Sequence, residues 1–253
     1  VVDATAQAAK VVDMRGSRGV ALLFVLALIG GGCGGGSGAS GEKAGVAPVA
    51  AAGDAAPPTT EPPMVVKAKA AVLQTADFPP GFQPQPDEPG QGLGLETLWR
   101  ELTRCLGVDN TAKGAGAATS PTFLRGLATQ ARATVEYAPE PTASAIAAAL
   151  GGQKYQGCAK ETFGADVKRS APEGAVPGPV AIAPLVAPPV AAKIFTSRVT
   201  VTLDLEGLKV PLFQDFLVVF DRGAVIRMLF LNPGSEFPQD LERSLIEKVV
   251  SRA

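Results

Sequence analysis

The 253-residue chain carries 23 basic and 24 acidic side chains and no histidine. That near-neutral balance supplies no polycationic surface for a phosphate backbone and argues against nucleic acid as a partner. Without histidine, Ser-His-Asp and Cys-His mechanisms and His-based zinc sites are excluded within the chain, whereas carboxylate, Ser-Lys and tyrosine chemistries remain open.

Residues 1–13 precede Met14 and read as an upstream extension. From Met14 an export signal unfolds in order over residues 14–32. Arg15 and Arg18 form a positive n-region, and Val20 to Ile29 is an uninterrupted apolar run. Such a run makes about 15 Å of helix, roughly half of a hydrocarbon core, which favours a cleaved signal over a spanning helix. Gly30, Gly31 and Gly32 then lead to Cys33. The segment resembles a bacterial lipobox, with Gly30 standing where that pattern has leucine. The resemblance implies a diacylglycerol thioether on Cys33 and anchoring to the outer face of the cell membrane through palmitate-type acyl chains. Ordinary cleavage, leaving a free thiol at Cys33, is the alternative.

Residues 33–64 are dominated by Gly, Ala, Ser, Pro and Thr, and no aromatic residue occurs between Phe24 and Phe78. A segment of this composition buries too little apolar surface to offset its ordering entropy, so a disordered tether is expected. Ser40-Gly41-Glu42-Lys43 has S-x-x-K spacing but lies in this tether, without the rigid surround a nucleophile needs.

The expected extracytoplasmic domain covers residues 65–253 and is α+β: an antiparallel sheet ending in a three-strand meander, with helices on both faces. Leu95, Leu98, Trp99, Leu102, Cys105 and Leu106 share one helical face, and Gly107 suits the cap. Ala131, Ala133, Val135 and Tyr137 alternate with polar residues as a half-buried strand does. Pro141 opens an Ala-rich helix to Leu150, and a further helical turn or two holds Tyr155 and Cys158. The Pro-rich stretch Ala171 to Pro189 reads as a long surface connection, or else as an extended ligand for aromatic grooves. Phe195–Leu205, Leu208–Phe220 and Ala224–Leu231 read as consecutive strands turning at Glu206-Gly207 and Arg222-Gly223. Pairing outward from these turns sets Arg198 opposite Asp215, Val201 opposite Leu212, Asp204 opposite Lys209 and Leu217 opposite Met228. The meander is then apolar on both faces, which demands cover on both. A helix bearing Leu241, Leu245, Ile246, Val249 and Val250 supplies one cover, and the Trp99 helix the other.

Cys105 and Cys158 form an even remainder once Cys33 is set aside. In an oxidising envelope they read as a disulfide closing a loop of roughly 50 residues, worth about 4 kcal/mol in the chain-entropy model; two buried thiols are the alternative. Asp204, Glu206, Asp215 and Asp221 suggest a paired-carboxylate site, but cross-strand ion pairs and turn positions account for them on the expected register. Gly114-x-Gly116 lacks the third glycine of a phosphate cradle.

This order of elements, with Asp77-Phe78-Pro79-Pro80-Gly81-Phe82, Cys105, Ser120-Pro121, Phe123 and Cys158, resembles the small secreted lipoproteins of mycobacteria and other actinobacteria, several of which are similar to the Mog1/PsbP-like α/β/α sandwich. The resemblance implies a cell-envelope protein and no catalytic residues. The expected function is therefore noncatalytic, with neither metal nor cofactor: binding of a small apolar ligand, a lipid or an envelope protein at the membrane surface. A carboxylate-dependent hydrolase or transferase is the alternative, to be favoured if two carboxylates converge in a polar cleft.

Overall fold

The computed structural model describes residues 61–85, 94–108, 114–126, 128–186, 188–190 and 193–253. The export signal, Cys33, the Ser40–Lys43 spacing and nearly all of the expected tether lie outside these residues. In chain order the elements are α1 (Pro63–Ala71), a 3-10 turn (Thr75–Asp77), β1 (Phe82–Gln85), α2 (Leu95–Leu106), β2 (Gly116–Thr119), β3 (Thr122–Arg125), β4 (Thr129–Tyr137), α3 (Glu140–Leu150), α4 (Tyr155–Ser170), β5 (Ala175–Pro177), β6 (Ala181–Ala183), β7 (Lys193–Leu205), β8 (Leu208–Asp221), β9 (Ala224–Pro233) and α5 (Gln239–Arg252). The α+β class is as the sequence indicates. Helix α1 begins at Pro63, two residues inside the expected tether, with proline in the first turn where its missing N–H costs nothing.

All strand pairs are antiparallel, in the order β1-β3-β4-β9-β8-β7-β5, with β2 also on β4 and β6 also on β7. The meander has the register read from its turns: Arg198 faces Asp215, Val201 faces Leu212, Asp204 faces Lys209 and Leu217 faces Met228. Both turns take two residues at positive φ, Glu206 (54°) with Gly207 (92°) and Arg222 (46°) with Gly223 (80°). Positive φ at both central positions is the I′-like geometry whose twist matches the flanking strands. The Asp204 carboxylate accepts the Gly207 N–H at 2.7 Å and pins the turn.

Two further edges carry short strands that periodicity does not announce. Beside β4, residues 116–125 form a strand interrupted at Ser120-Pro121, with β2 at the edge and β3 covered by β1. There the buried Ser120 hydroxyl accepts the Ala133 N–H at 3.1 Å, so the ladder stays satisfied across the proline. Beside β7, the Pro-rich stretch contributes β5 and β6, and so it is part sheet edge and only part connection. Helix α4 is also longer than expected, 16 residues, because Thr162, Phe163 and Val167 continue the buried stripe begun by Cys158 and Ala159.

Two apolar clusters lie on opposite faces of the sheet. One joins α1 and α5 to Ala133, Val135, Leu217, Val219, Ile226 and Met228. The other joins α2, α3 and α4 to Val199, Val201, Phe216, Val218, Val225 and Leu229. Residues of adjacent parity on β8 and β9 enter different clusters, as a two-sided strand requires. The layers are offset. The α1/α5 cluster draws on β4 but on none of the central, α5-facing side chains of β7, which are Arg198, Thr200 and Thr202. The other cluster draws on β7 but on none of Arg132, Thr134 and Glu136 of β4. Each face thus leaves one polar strip beside the end of its helical layer.

Candidate functional site

On the α5 face that strip begins at β7. Arg198 donates from Nε to Asp215 Oδ1 at 2.7 Å and from Nη2 to Oδ2 at 2.8 Å, a bidentate pair across the β7–β8 ladder. Asp215 is 1 % exposed, and Arg198 also pairs with Glu236 on the loop entering α5. Two arginine hydrogen bonds and an ion pair hold the guanidinium above its ordinary range, with Asp215 the main cause. The same contact with Arg198 draws Glu236 below the usual glutamate value.

Above this pair sits Glu242, from the first turns of α5 and 5 % exposed. Burial, and then the charge of Asp215 and its hydrogen bond to that carboxylate, push the Glu242 carboxyl up to about 8, while Arg198 opposes the shift. Asp215 already accepts both guanidinium hydrogen bonds, so the proton in the pair belongs to Glu242. At neutral pH the cluster therefore presents a neutral carboxylic acid beside an arginine-held carboxylate.

Arg198, Glu236 and Glu242 line a cleft of about 620 Å³, within the range of small-molecule sites, and Asp215 lies behind Arg198 outside its lining. Its polar side is Arg198, Glu236, Gln239, Glu242 and Arg243. Its other wall is apolar, formed by Pro184, Leu185, Val186, Pro188 and Pro189, with Ile246 of α5. This proline strap leaves β6 and runs beside β7, tied by a 2.5 Å hydrogen bond from Thr196 Oγ1 to Leu185 O. Prolines offer no N–H to the β7 edge, so the strap stands off as a wall instead of completing the sheet.

Of the acidic residues singled out from sequence, Asp215 alone enters this cluster. Asp204 serves its turn, Asp221 pairs with its neighbour Arg222 at 2.7 Å, and Glu206 occupies the first turn position of the hairpin. Glu236 and Glu242 were not singled out. Glu242 was nonetheless visible, since it falls in register with Leu245, Ile246 and Val249 on an otherwise apolar stripe. Cys105 and Cys158 are joined as a disulfide, with Cα atoms 5.6 Å apart, crosslinking α2 to α4. Gly116 serves packing: a Cβ there would lie 2.5 Å from the Met64 and Val65 backbone, where α1 crosses β2. Among the described residues no group of three or more His, Cys, Asp or Glu side chains is placed to hold a metal ion, and no helix is long and apolar enough to cross a membrane.

No family model matches the chain, and no curated protein or solved structure is significantly similar to it.

Proposed function

We propose that the chain is an exported, lipid-anchored protein of the cell envelope whose domain binds an amphipathic ligand without transforming it, in the cleft between α5 and the proline strap. The observation that carries this reading is the juxtaposition of one apolar wall with a polar side on which Arg198, held from beneath by the buried Asp215, meets Glu236 and Glu242. A ligand with an apolar body and a polar head satisfies both sides at once, whereas a purely apolar one would strand the charges. The membrane anchor at Cys33 and the kinship with actinobacterial secreted lipoproteins of Mog1/PsbP-like fold rest on the sequence alone, and they would place the cleft within reach of lipids and envelope proteins.

A hydrolase or transferase is the second reading, favoured by the protonated Glu242 beside Asp215, the arrangement of an acid and a carboxylate that such chemistry uses. Against it, Asp215 is 1 % exposed and has both oxygens engaged by Arg198, so it is poorly placed to attack a substrate or activate water.

Native mass spectrometry of the full chain extracted from its own membrane separates the readings. Binding without turnover predicts a co-purifying amphipathic adduct at one per chain, lost in Leu185→Asp, which changes the exposed wall and leaves the carboxylates untouched. Absence of any adduct in the parent protein, or an adduct retained in Leu185→Asp, overturns the assignment to this cleft.

A further inference from the structure

The other polar strip lies on the opposite face, where α2 ends its cover of the sheet beside β4 and β2. It floors a second cleft of about 420 Å³. Beneath it is Arg227 of β9, 2 % exposed, with its guanidinium 5.0 Å from the Trp99 ring centroid. Arg227 reaches Glu136 at 3.3 Å through Nη1 and Glu96 at 3.4 Å through Nη2, and its Nε has no hydrogen-bond partner among the described residues. These contacts are longer than close charge-assisted bonds of about 2.8 Å, so the guanidinium only partly occupies the two carboxylates it orients. Thr134 and Thr119 add hydroxyls, donating to Glu96 Oε1 at 2.8 and 3.3 Å. The cleft has room because β2 contributes only Ala117, Ala118 and Thr119 to its rim.

The chemistry of this lining narrows the ligand. Arg100 and Arg227 balance Glu96 and Glu136, so the site offers no net charge to attract an ion. It offers carboxylate acceptors and threonine hydroxyls around a space of small-molecule size, a set that matches many hydroxyl donors and few apolar groups. An under-satisfied buried arginine is costly, and such costs persist where a site needs them. We propose that this cleft is a second binding site, for a neutral polyhydroxylated ligand such as a saccharide or polyol, held by Glu96, Glu136, Thr119 and Thr134. It lies on the opposite sheet face from the strap cleft and does not depend on that cleft's occupant.

The test is a titration of the full chain, followed by amide and indole NMR shifts, with methyl α-D-glucopyranoside, myo-inositol and sucrose. Glycine betaine and inorganic phosphate serve as charged controls. Saturable shifts at Trp99, Thr119, Thr134 and Glu136 are expected with at least one neutral probe, with a Kd on the order of millimolar, which corresponds to about −4 kcal/mol. Glu136→Gln is expected to weaken binding about tenfold, the loss of one charge-assisted contact. Because that change disturbs Arg227, Ala117→Phe provides the second variant: it fills the cleft from an exposed strand position, leaves the ion pairs alone, and is expected to abolish binding. Leu185→Asp is expected to leave it intact, so failure here and failure of the strap cleft are read separately. No saturable shift with any neutral probe up to about 100 mM overturns the proposal. So do shifts located elsewhere, binding retained by Ala117→Phe, or tighter binding of either charged control.

Discussion

Replacing Glu242 with glutamine isolates the cost of burying a titratable group against Asp215. The carboxyl titrates near 8 in the folded chain against an ordinary value of 4.5, so between those values the folded state holds a proton that the unfolded state has released. Unfolding then sheds a proton, and stability falls as pH rises, by about 1.4 kcal/mol per unit at the steepest. The loss begins near 4.5, is complete above about 8, and sums to roughly 5 kcal/mol as an upper bound, because water entry or a small shift of α5 would relieve part of it. Glutamine keeps the shape and a donor toward Asp215 but cannot ionise. Glu242→Gln is therefore expected to match the parent at about pH 4.5 and to exceed it by a few kcal/mol at about pH 9. Urea unfolding at several pH values measures the difference directly, and subtracting the two proteins cancels the other carboxylates. Parallel stability profiles, or a parent more stable than the variant at high pH, would refute the assignment of the proton to Glu242.

Three further outcomes follow from the same geometry. Removing either Arg198 or Asp215 strands a buried charge and is expected to cost about 3 to 5 kcal/mol, whereas Arg198→Met with Asp215→Leu recovers much of it; additive losses in a double-mutant cycle would show that the pair is not coupled. Cys105→Ser and Cys158→Ser are each expected to lose up to about 4 kcal/mol, with the double variant no worse than either, and alkylation of both thiols in unreduced, denatured protein would contradict the crosslink. Cys33→Ala is expected to shift the full chain out of the membrane fraction and to remove acyl mass from its mature N-terminus, and unchanged detergent partitioning would count against the anchor.

Much of the meander was legible because its register hangs on two turn dipeptides. Glu206-Gly207 and Arg222-Gly223 leave only one pairing that keeps both faces consistent, and from it the Arg198–Asp215 contact follows. Helix α2 was legible for a comparable reason: six residues at helical spacing end at Gly107, whose φ of 74° closes the helix as expected. The short strands were not. Gly116–Thr119, Ala175–Pro177 and Ala181–Ala183 are three or four residues long and mostly Gly, Ala or Pro, with Val176 and Ile182 isolated among them, so no alternating pattern announces a strand. They are strands because β4 and β7 present N–H and C=O groups that need partners.

The clefts were harder to read, since they depend on where the helical layers stop. A sign of them was nevertheless present. Strands β8 and β9 are apolar at successive positions through much of their length, while β4 and β7 alternate. Alternation marks a half-buried strand, and it says more when the parities of the two strands are compared. On β4 the polar set Arg132, Thr134 and Glu136 faces the α2 side. On β7 the polar set Arg198, Thr200 and Thr202 faces the α5 side. The two flanking strands are thus polar on opposite faces of one sheet, so a helical layer covering the apolar side of each must be displaced in opposite directions. Displacement leaves a polar strip at each layer's end. An arginine beside each strip then meets carboxylates: Arg198 pairs with Asp215 and Glu236, with Glu242 of α5 above the pair, and Arg227 pairs with Glu96 of α2 and Glu136 of β4. Both sites are consequences of where two strands keep their polar residues, and neither requires a motif that a residue-by-residue search would find.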